Sequence, residues 1–283
     1  MTSPRVLMKA WNLHPRKDLG QNFLVDPNIA EMIVARSGIT RNDTVLEIGS
    51  GLGALTIPLA RQTKKVYAVE KDPKLVKLLK NELLAKGCQN VELLEEDILK
   101  VDLQAISRTA ENRLFIMGNI PYNISSQILV HLILKRGGIQ KAVLMFQKEL
   151  AMRIKADPGG KSYGRIAVML GYCATIRHLA TIKAALFYPK PKVDSVILDI
   201  VFKDDVQPAA TDEVFLFKVI KAAFSKRRKT LKNSLAGSIL QITTKDAWQE
   251  LIAAGIDPVR RSETLSVSEF VMLSNHLYDS GYR

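Results

Sequence analysis

The four residues Asn119-Ile120-Pro121-Tyr122 bring together an amide, a backbone carbonyl beside a proline, and an aromatic ring. They follow the apolar run Leu114-Phe115-Ile116-Met117, which reads as a buried strand ending at Gly118. Such a strand end makes poor core and suits gripping a flat heterocycle that carries an exocyclic amino group. The amino nitrogen of adenine is a weak nucleophile, because its lone pair is delocalised into the ring. Acceptors on its N–H groups draw the pair out of conjugation and aim it at an electrophile. The side-chain oxygen of Asn119 and the carbonyl of Ile120 are of the right type. Pro121 fixes the backbone so that this carbonyl points outward, and Tyr122 offers a face for a stacked base. By itself Asn-x-Pro-Tyr is more often a strand-ending turn. Its place after a fourth strand downstream of a glycine loop reverses that weighting.

The glycine loop is Glu47-Ile48-Gly49-Ser50-Gly51-Leu52-Gly53. Its glycines allow a sharp turn at a helix start and let backbone N–H groups approach a ligand. Gly49-x-Gly51-x-x-Ala54 also satisfies a dinucleotide fingerprint, with Glu70 placed as a ribose-binding acid. On the loop alone a dehydrogenase and a methyltransferase stand nearly level. Glu47 and Asp97 break the tie. Glu47 can order the loop and lie near a cationic ligand, and Asp97 can accept a hydrogen bond from an adenine amino group. Acids after the first three strands suit a ligand with a sulfonium and an amine and no phosphate. Each carboxylate singly is more often a solvated strand end or a helix cap; their regular placement carries the argument. Cytosine-carbon chemistry would want a nucleophilic cysteine, and neither Cys88 nor Cys173 has such a setting. The expected chemistry is methyl transfer to adenine's amino nitrogen, with the protein positioning the reactants and the proton leaving to water.

Positioning these groups requires an alternation of strands and helices. Candidate strands are Thr44–Ile48, Lys65–Glu70, Val91–Glu95, Leu114–Met117, Ala142–Phe146, Thr175–Thr181 and Ser195–Val201. Amphipathic stretches lie between them, such as Pro73–Lys86 with Leu75, Val76, Leu78, Leu79 and Leu83 on one face. This predicts an α/β fold with a mostly parallel seven-stranded sheet, whose last two strands form an antiparallel hairpin at one edge. The polar stretch Lys203–Thr211 reads as a linker. Helical patterns follow at Glu213–Phe224, Arg228–Gly237, Lys245–Ala254 and Ser266–Tyr278. The expected domains are 1–205, carrying the chemistry, and 206–283, small and all-helical.

A chain of 283 residues with 47% hydrophobic content can bury a real core, and its formal net charge of +13 favours a polyanionic partner. A spanning helix needs about 18–20 apolar residues, which no run approaches. Lys9, His14, Arg16, Lys17 and Asp18 interrupt any leader-like segment at the N-terminus. Two cysteines, far apart, argue against a disulfide framework or a zinc site, and a reducing cytoplasm is the expected compartment. Between Phe215 and Lys232 stand Lys218, Lys221, Lys226, Arg227, Arg228, Lys229 and Lys232 without an Asp or Glu. A solvated helix face usually explains a basic run, but a one-signed run in a basic chain points to nucleic acid. His14, His131, His178, His276, Trp11 and Trp248 share no motif and read as core or surface residues.

These motifs resemble those of the ribosomal RNA adenine dimethyltransferases, over nearly the whole chain. Leu19-Gly20-Gln21-Asn22-Phe23-Leu24-Val25-Asp26 is similar to the family's N-terminal motif, and Asn119-Ile120-Pro121-Tyr122-Asn123-Ile124-Ser125-Ser126 is a very specific match to its catalytic motif. Phe187-Tyr188-Pro189-Lys190-Pro191-Lys192-Val193-Asp194-Ser195 matches a later signature. The resemblance implies a Rossmann-like class I methyltransferase fold that uses S-adenosylmethionine. It implies Asn22, Leu24, Gly49, Gly51, Glu70, Asp97 and Asn119 as cofactor contacts. Asn119, Ile120, Pro121 and Tyr122 become the catalytic group, with Phe187 stacking the base opposite Tyr122. It further implies dimethylation of two adjacent adenosines near the 3′ end of small-subunit ribosomal RNA, and a role in subunit maturation. Lys226, Arg227, Arg228 and Lys229, in a segment similar to the small-subunit type, are the expected RNA contacts. No metal, no membrane and a monomeric chain are expected. Three alternatives stay open: a large-subunit enzyme of the macrolide-resistance type, a DNA adenine methyltransferase, and a catalytically silent assembly or transcription factor on the same fold.

Overall fold

The computed structural model describes residues 3–111, 113–226 and 228–283. Its strands are β1 (Phe23–Leu24), β2 (Thr44–Ile48), β3 (Lys65–Glu70), β4 (Val91–Glu95), β5 (Leu114–Asn119), β6 (Ile139–Gln147), β7 (Ala174–Ile182), β8 (Phe187–Tyr188) and β9 (Ser195–Phe202). Seven of them form one sheet in the order β4-β3-β2-β5-β6-β9-β7, and β1 pairs with β8 in a separate ribbon. The pairs β3–β4, β2–β3, β2–β5 and β5–β6 are parallel, while β9 runs antiparallel to β6. The mostly parallel sheet with an antiparallel strand toward one edge is the expected architecture. β2 is buried at all five positions, as a central parallel strand covered on both faces must be.

The helices of the first half are α1 (Pro4–Ala10), α2 (Pro27–Ser37), α3 (Thr56–Gln62), α4 (Pro73–Ala85), α5 (Leu103–Thr109), α6 (Ser125–Leu134) and α7 (Lys148–Ile154). α4 shows why the chain folds this way locally. Asp72 caps its first turn by accepting from Lys74 N–H, Pro73 takes the first position, and Leu75, Leu78, Leu79 and Leu83 are buried. The remaining helices are α8 (Arg165–Cys173), α9 (Glu213–Ala223), α10 (Leu231–Leu235), α11 (Thr244–Ala253) and α12 (Val267–Asp279). α12 begins with a reciprocal capping box between Ser266 and Glu269. α10 is shorter than the expected 228–237 helix. It starts after Thr230 and ends where Gly237 adopts φ +62°.

The chain divides into two compact units, Met1–Ala151 with Ile176–Phe202, and Met152–Thr175 with Lys203–Arg283. A single cut near residue 205 therefore leaves 152–175 on the wrong side. That segment is held by aromatic packing within the second unit: Tyr163 lies edge-on to Phe224 at 6.3 Å and Tyr172 to Phe217 at 6.2 Å. Gly159 N–H also donates to the Glu263 carbonyl at 2.7 Å. No helix among the described residues is long and apolar enough to cross a membrane.

The strand order turns back on itself at β2, with β3 and β4 on one side and β5 and β6 on the other. Ligand crevices of open α/β sheets form at such reversals, at the carboxyl ends of the strands. Here those ends carry Gly49 after β2 and Asn119 at the tip of β5. The two strands approach so closely that a Cβ on Gly118 would stand 2.5 Å from the Ile48 carbonyl oxygen. Gly118→Ala should therefore push the strands apart and lower stability by about 1–3 kcal/mol; chemical denaturation measures it, and an unchanged midpoint would refute the tight approach.

Candidate active site

Asn119 is oriented by a segment far away in sequence. Its Nδ2 donates to the Asn22 carbonyl at 2.7 Å, which leaves Oδ1 as the acceptor. Asn22 belongs to an N-terminal strap, Asp18–Leu24, that is tied down along its length. Asn123 Nδ2 donates to the Asp18 carbonyl at 3.0 Å, Gln21 Nε2 to Asp72 at 3.0 Å, and Phe23 and Leu24 pair with Tyr188 and Phe187. Phe23 also covers the glycine loop: Gly51 has φ +54°, and a Cβ there would stand 3.2 Å from the Phe23 ring. An L side chain fails at that position on both counts.

The loop's own donors are satisfied internally. Gly49 and Ser50 N–H donate to the Val69 carbonyl at 2.9 and 3.1 Å, and Gly53 N–H to the Ser50 carbonyl at 2.9 Å. Gly51 N–H donates to Glu70 Oε2 at 2.9 Å, while Glu70 Oε1 accepts from Asp72 N–H at 2.9 Å. The expectation that these N–H groups turn toward the ligand is corrected. A pyrophosphate needs such donors, so the dehydrogenase reading loses its main contact. Glu70 instead ties the loop through Oε2 to the start of α4 through Oε1, each oxygen retaining acceptor capacity for a hydroxyl.

A cavity of about 340 Å³ opens between strap, loop and the tip of β5. Asn22, Leu24, Gly49, Gly51, Glu70, Asp97 and Asn119 all line it, so the structure brings together every residue expected to touch a cofactor. Five carboxylic residues line it (Asp18, Glu47, Glu70, Glu96 and Asp97) against one cation, Lys71. Two buried polar atoms on its wall, Glu47 Oε2 and Ser50 Oγ, lack a hydrogen-bond partner. Burial pushes the Glu47 carboxyl up to about 8, the Thr56 hydroxyl opposing and the neighbouring Glu70 adding to the shift. Two unpartnered polar atoms on a wall rich in carboxyl groups and without a phosphate cradle fit a polar ligand bearing an amine, as S-adenosylmethionine does. Asp97 accepts from Lys71 Nζ at 2.8 Å and from Leu99 N–H at 3.1 Å, and Lys71 holds it below its ordinary range. Sequence reasoning missed this ion pair and Ser50; a lysine directly after a strand-end acid was the available signal for the first.

Ile120 is buried, at 1% exposure, and Pro121 lines the cavity. Tyr122 is half-buried, with its hydroxyl 2.8 Å from Ser195 Oγ. Phe187 departs from expectation. It is 3% exposed, opposite Leu24 in the β1–β8 ribbon and within the core cluster that includes Ile182 and Ile197, so no face of its ring is offered to a base. The ribbon's need for a core residue at that position outweighs the motif's suggestion. Among the expected RNA contacts, Arg227 lies outside the described residues. Lys226 donates to the carbonyls of Asn233 (3.2 Å) and Ala236 (3.0 Å), which caps the end of α10. Arg228 and Lys229 are exposed.

Comparison with known proteins follows the same line. The family model for ribosomal RNA adenine dimethylase matches residues 12–279. A protein of Desulforapulum autotrophicum named ribosomal RNA small subunit methyltransferase A is 52% identical over 278 residues, covering 98% of this chain and 97% of its own. One of the same name from Magnetococcus marinus is 42% identical, covering 96% and 95%. Among solved structures, a dimethyladenosine transferase from Plasmodium falciparum superposes with a TM-score of 0.77 at 28% identity, over 92% of this chain and 98% of that one. The 23S rRNA methyltransferase ErmE shares the fold, with a TM-score of 0.65 at 24% identity over 90% and 99%.

The Glu47 shift has a measurable consequence. In the folded protein the carboxyl keeps its proton up to about pH 8, whereas its ordinary value is 4.5. The unfolded chain thus ionises it first, and stability falls as pH rises between those values. Glu47→Gln lacks that loss. Its melting temperature should exceed wild type by a margin that opens across this range and then holds. Parallel melting curves at all pH values would contradict the protonated state.

Proposed function

Because the chain belongs to the ribosomal RNA adenine dimethylase family, we propose that the acidic cavity and the Asn119–Tyr122 turn form its methyl-transfer site. The protein is an S-adenosylmethionine-dependent adenine dimethyltransferase of small-subunit ribosomal RNA, with a role in building that subunit. The 52% identity to a relative named for the small subunit supports that RNA over the large-subunit one. S-adenosylmethionine supplies a methyl group on an electrophilic sulfonium. The two cysteines are free, which accords with a cytoplasmic location.

In this reading Glu47 and Ser50 hold the amino-acid end of the cofactor, Glu70 accepts from its ribose, and Asp97 accepts from its adenine amino group once Lys71 gives way. Gly49, Gly51 and Leu24 shape the wall. Asn119 Oδ1 and the Ile120 carbonyl accept the N–H groups of the target adenine. Its lone pair is thereby drawn out of conjugation and directed into the cavity. Pro121 fixes the carbonyl and Tyr122 carries the base on its ring, a contact worth roughly 1–3 kcal/mol. Bound there, S-adenosylmethionine would supply the methyl: the S–CH3 bond would break as the N–CH3 bond forms, the cofactor would leave as a neutral thioether, and the nitrogen's proton would pass to solvent. The single observation that carries the proposal is the amide orientation of Asn119. The Asn22 carbonyl takes one of the amide's N–H groups and so fixes which end is oxygen, which makes Oδ1 the acceptor for an amine.

Arg228 and Lys229 supply phosphate contacts, and Lys190 and Lys192 add exposed cations in the unit that holds Asn119. Lys226 is exposed, and beside its two bonds to the end of α10 it keeps a third N–H for the same surface.

Asn119→Ala should reduce methyl transfer to unmethylated small subunits by on the order of 100-fold or more, with the melting temperature little changed. Mass spectrometry of the RNA reads dimethyladenine directly; turnover near wild type would falsify the acceptor role. Reversing charge at Arg228 and Lys229 should weaken RNA binding and flatten its salt dependence by about 0.7–0.9 of a log unit for each phosphate that is no longer neutralised. An unaltered slope in a filter-binding titration would move the RNA surface elsewhere.

A further inference from the structure

Tyr122 is held at both ends. Its backbone sits in the turn after β5, where the Ser125 hydroxyl bonds the carbonyls of Pro121 (2.9 Å) and Tyr122 (3.1 Å). Its phenolic oxygen lies 2.8 Å from Ser195 Oγ. Ser195 has 0% exposure, opens β9 and stands opposite Gln147 of β6. Its neighbour Asp194 is clamped from three directions. The carboxylate accepts from Ala184 N–H (2.9 Å) and Lys183 Nζ (3.2 Å), and the carbonyl accepts from Lys148 N–H (3.0 Å). Ser195 is thus a fixed, hidden point of the sheet that reaches the site only through Tyr122.

Stacking needs an aromatic face and no hydroxyl. A half-buried phenol without a partner bears an uncompensated desolvation cost, so Tyr at this position makes sense only if its oxygen is put to use. We infer that Ser195 is a positioning residue for base methylation, fixing the plane of the Tyr122 ring through the phenol and acting on the RNA without touching it. This rests on the reading that Tyr122 meets the target base. The tether matters most in the second methyl transfer. The monomethylated amine keeps a single N–H, so one of its two hydrogen bonds is gone and the ring plane carries more of the alignment.

The test compares full-length wild type, Ser195→Ala, Tyr122→Phe, the double variant and Tyr122→Ala, using labelled S-adenosylmethionine and unmethylated small subunits. Turnover and the ratio of monomethyl- to dimethyladenine are read by mass spectrometry. Each single variant that removes the hydrogen bond should lower turnover roughly three- to ten-fold and raise the monomethyl fraction. The double variant should be no worse than either, because both changes delete the same bond. Cofactor affinity should not move. Additive losses would overturn the inference, as would a Tyr122→Phe enzyme with wild-type turnover and product ratio. If Ser195→Ala fails to fold, Tyr122→Phe removes the bond from the other side and decides the question alone. Tyr122→Ala separates the premise from the inference. Full activity there removes the base-stacking reading itself, whereas loss there with an unaffected Tyr122→Phe removes only the tether.

Discussion

A primary amide has two nearly isosteric orientations, and only one of them can serve an amine. The 2.7 Å hydrogen bond from Asn119 Nδ2 to the Asn22 carbonyl selects that one. Without it the side chain could turn its two donors toward the substrate's own N–H groups, which would repel instead of align. The selection comes from a backbone carbonyl, which cannot itself flip once the strap is paired. That pairing is secured by β1 against β8, by Val25 N–H on the Leu186 carbonyl at 3.0 Å, and by Phe23 lying on the glycine loop. The strap therefore walls the cavity and sets the polarity of the reacting group.

Charge is divided between two tasks of opposite sign. The chain carries a formal +13, yet five acidic residues line the cavity against Lys71 alone. A basic exterior draws a polyanion. An acidic interior with unpartnered polar atoms repels phosphate and suits a ligand bearing an amine. The glycine loop makes the interior selective by directing its own donors onto Val69, Ser50 and Glu70. A dinucleotide-type turn and this one look alike in glycine spacing and differ in where the N–H groups point.

That difference marks the limit of what the sequence discloses. The central strands were legible because β2, β3 and β5 are short runs rich in β-branched and other apolar residues, and α4 because its leucines recur at helical spacing behind Asp72 and Pro73. The cavity-lining residues were legible as motifs. What stayed hidden depends on contacts between distant segments. Nothing local says that Phe187 is needed opposite Leu24 in a two-stranded ribbon, that Lys226 caps α10, or that 152–175 packs with Phe217 and Phe224. The direction of loop N–H groups is equally invisible, because it follows from Val69 and Glu70 on the next strand.

Three polar groups of the site are set by atoms on other segments. Asn119 is set by Asn22, 97 residues away, Tyr122 lies against Ser195 at 73, and Glu70 bonds Gly51 at 19. Each of these contacts closes a loop whose entropy cost is met by pairing of the strands that carry it. The site and the sheet therefore form together. Orientation of the reacting groups is then supplied by folding free energy and need not be supplied again when substrates bind, which is the condition under which positioning alone can lower a barrier. A chemistry whose electrophile brings its own reactivity asks nothing more of the protein than this.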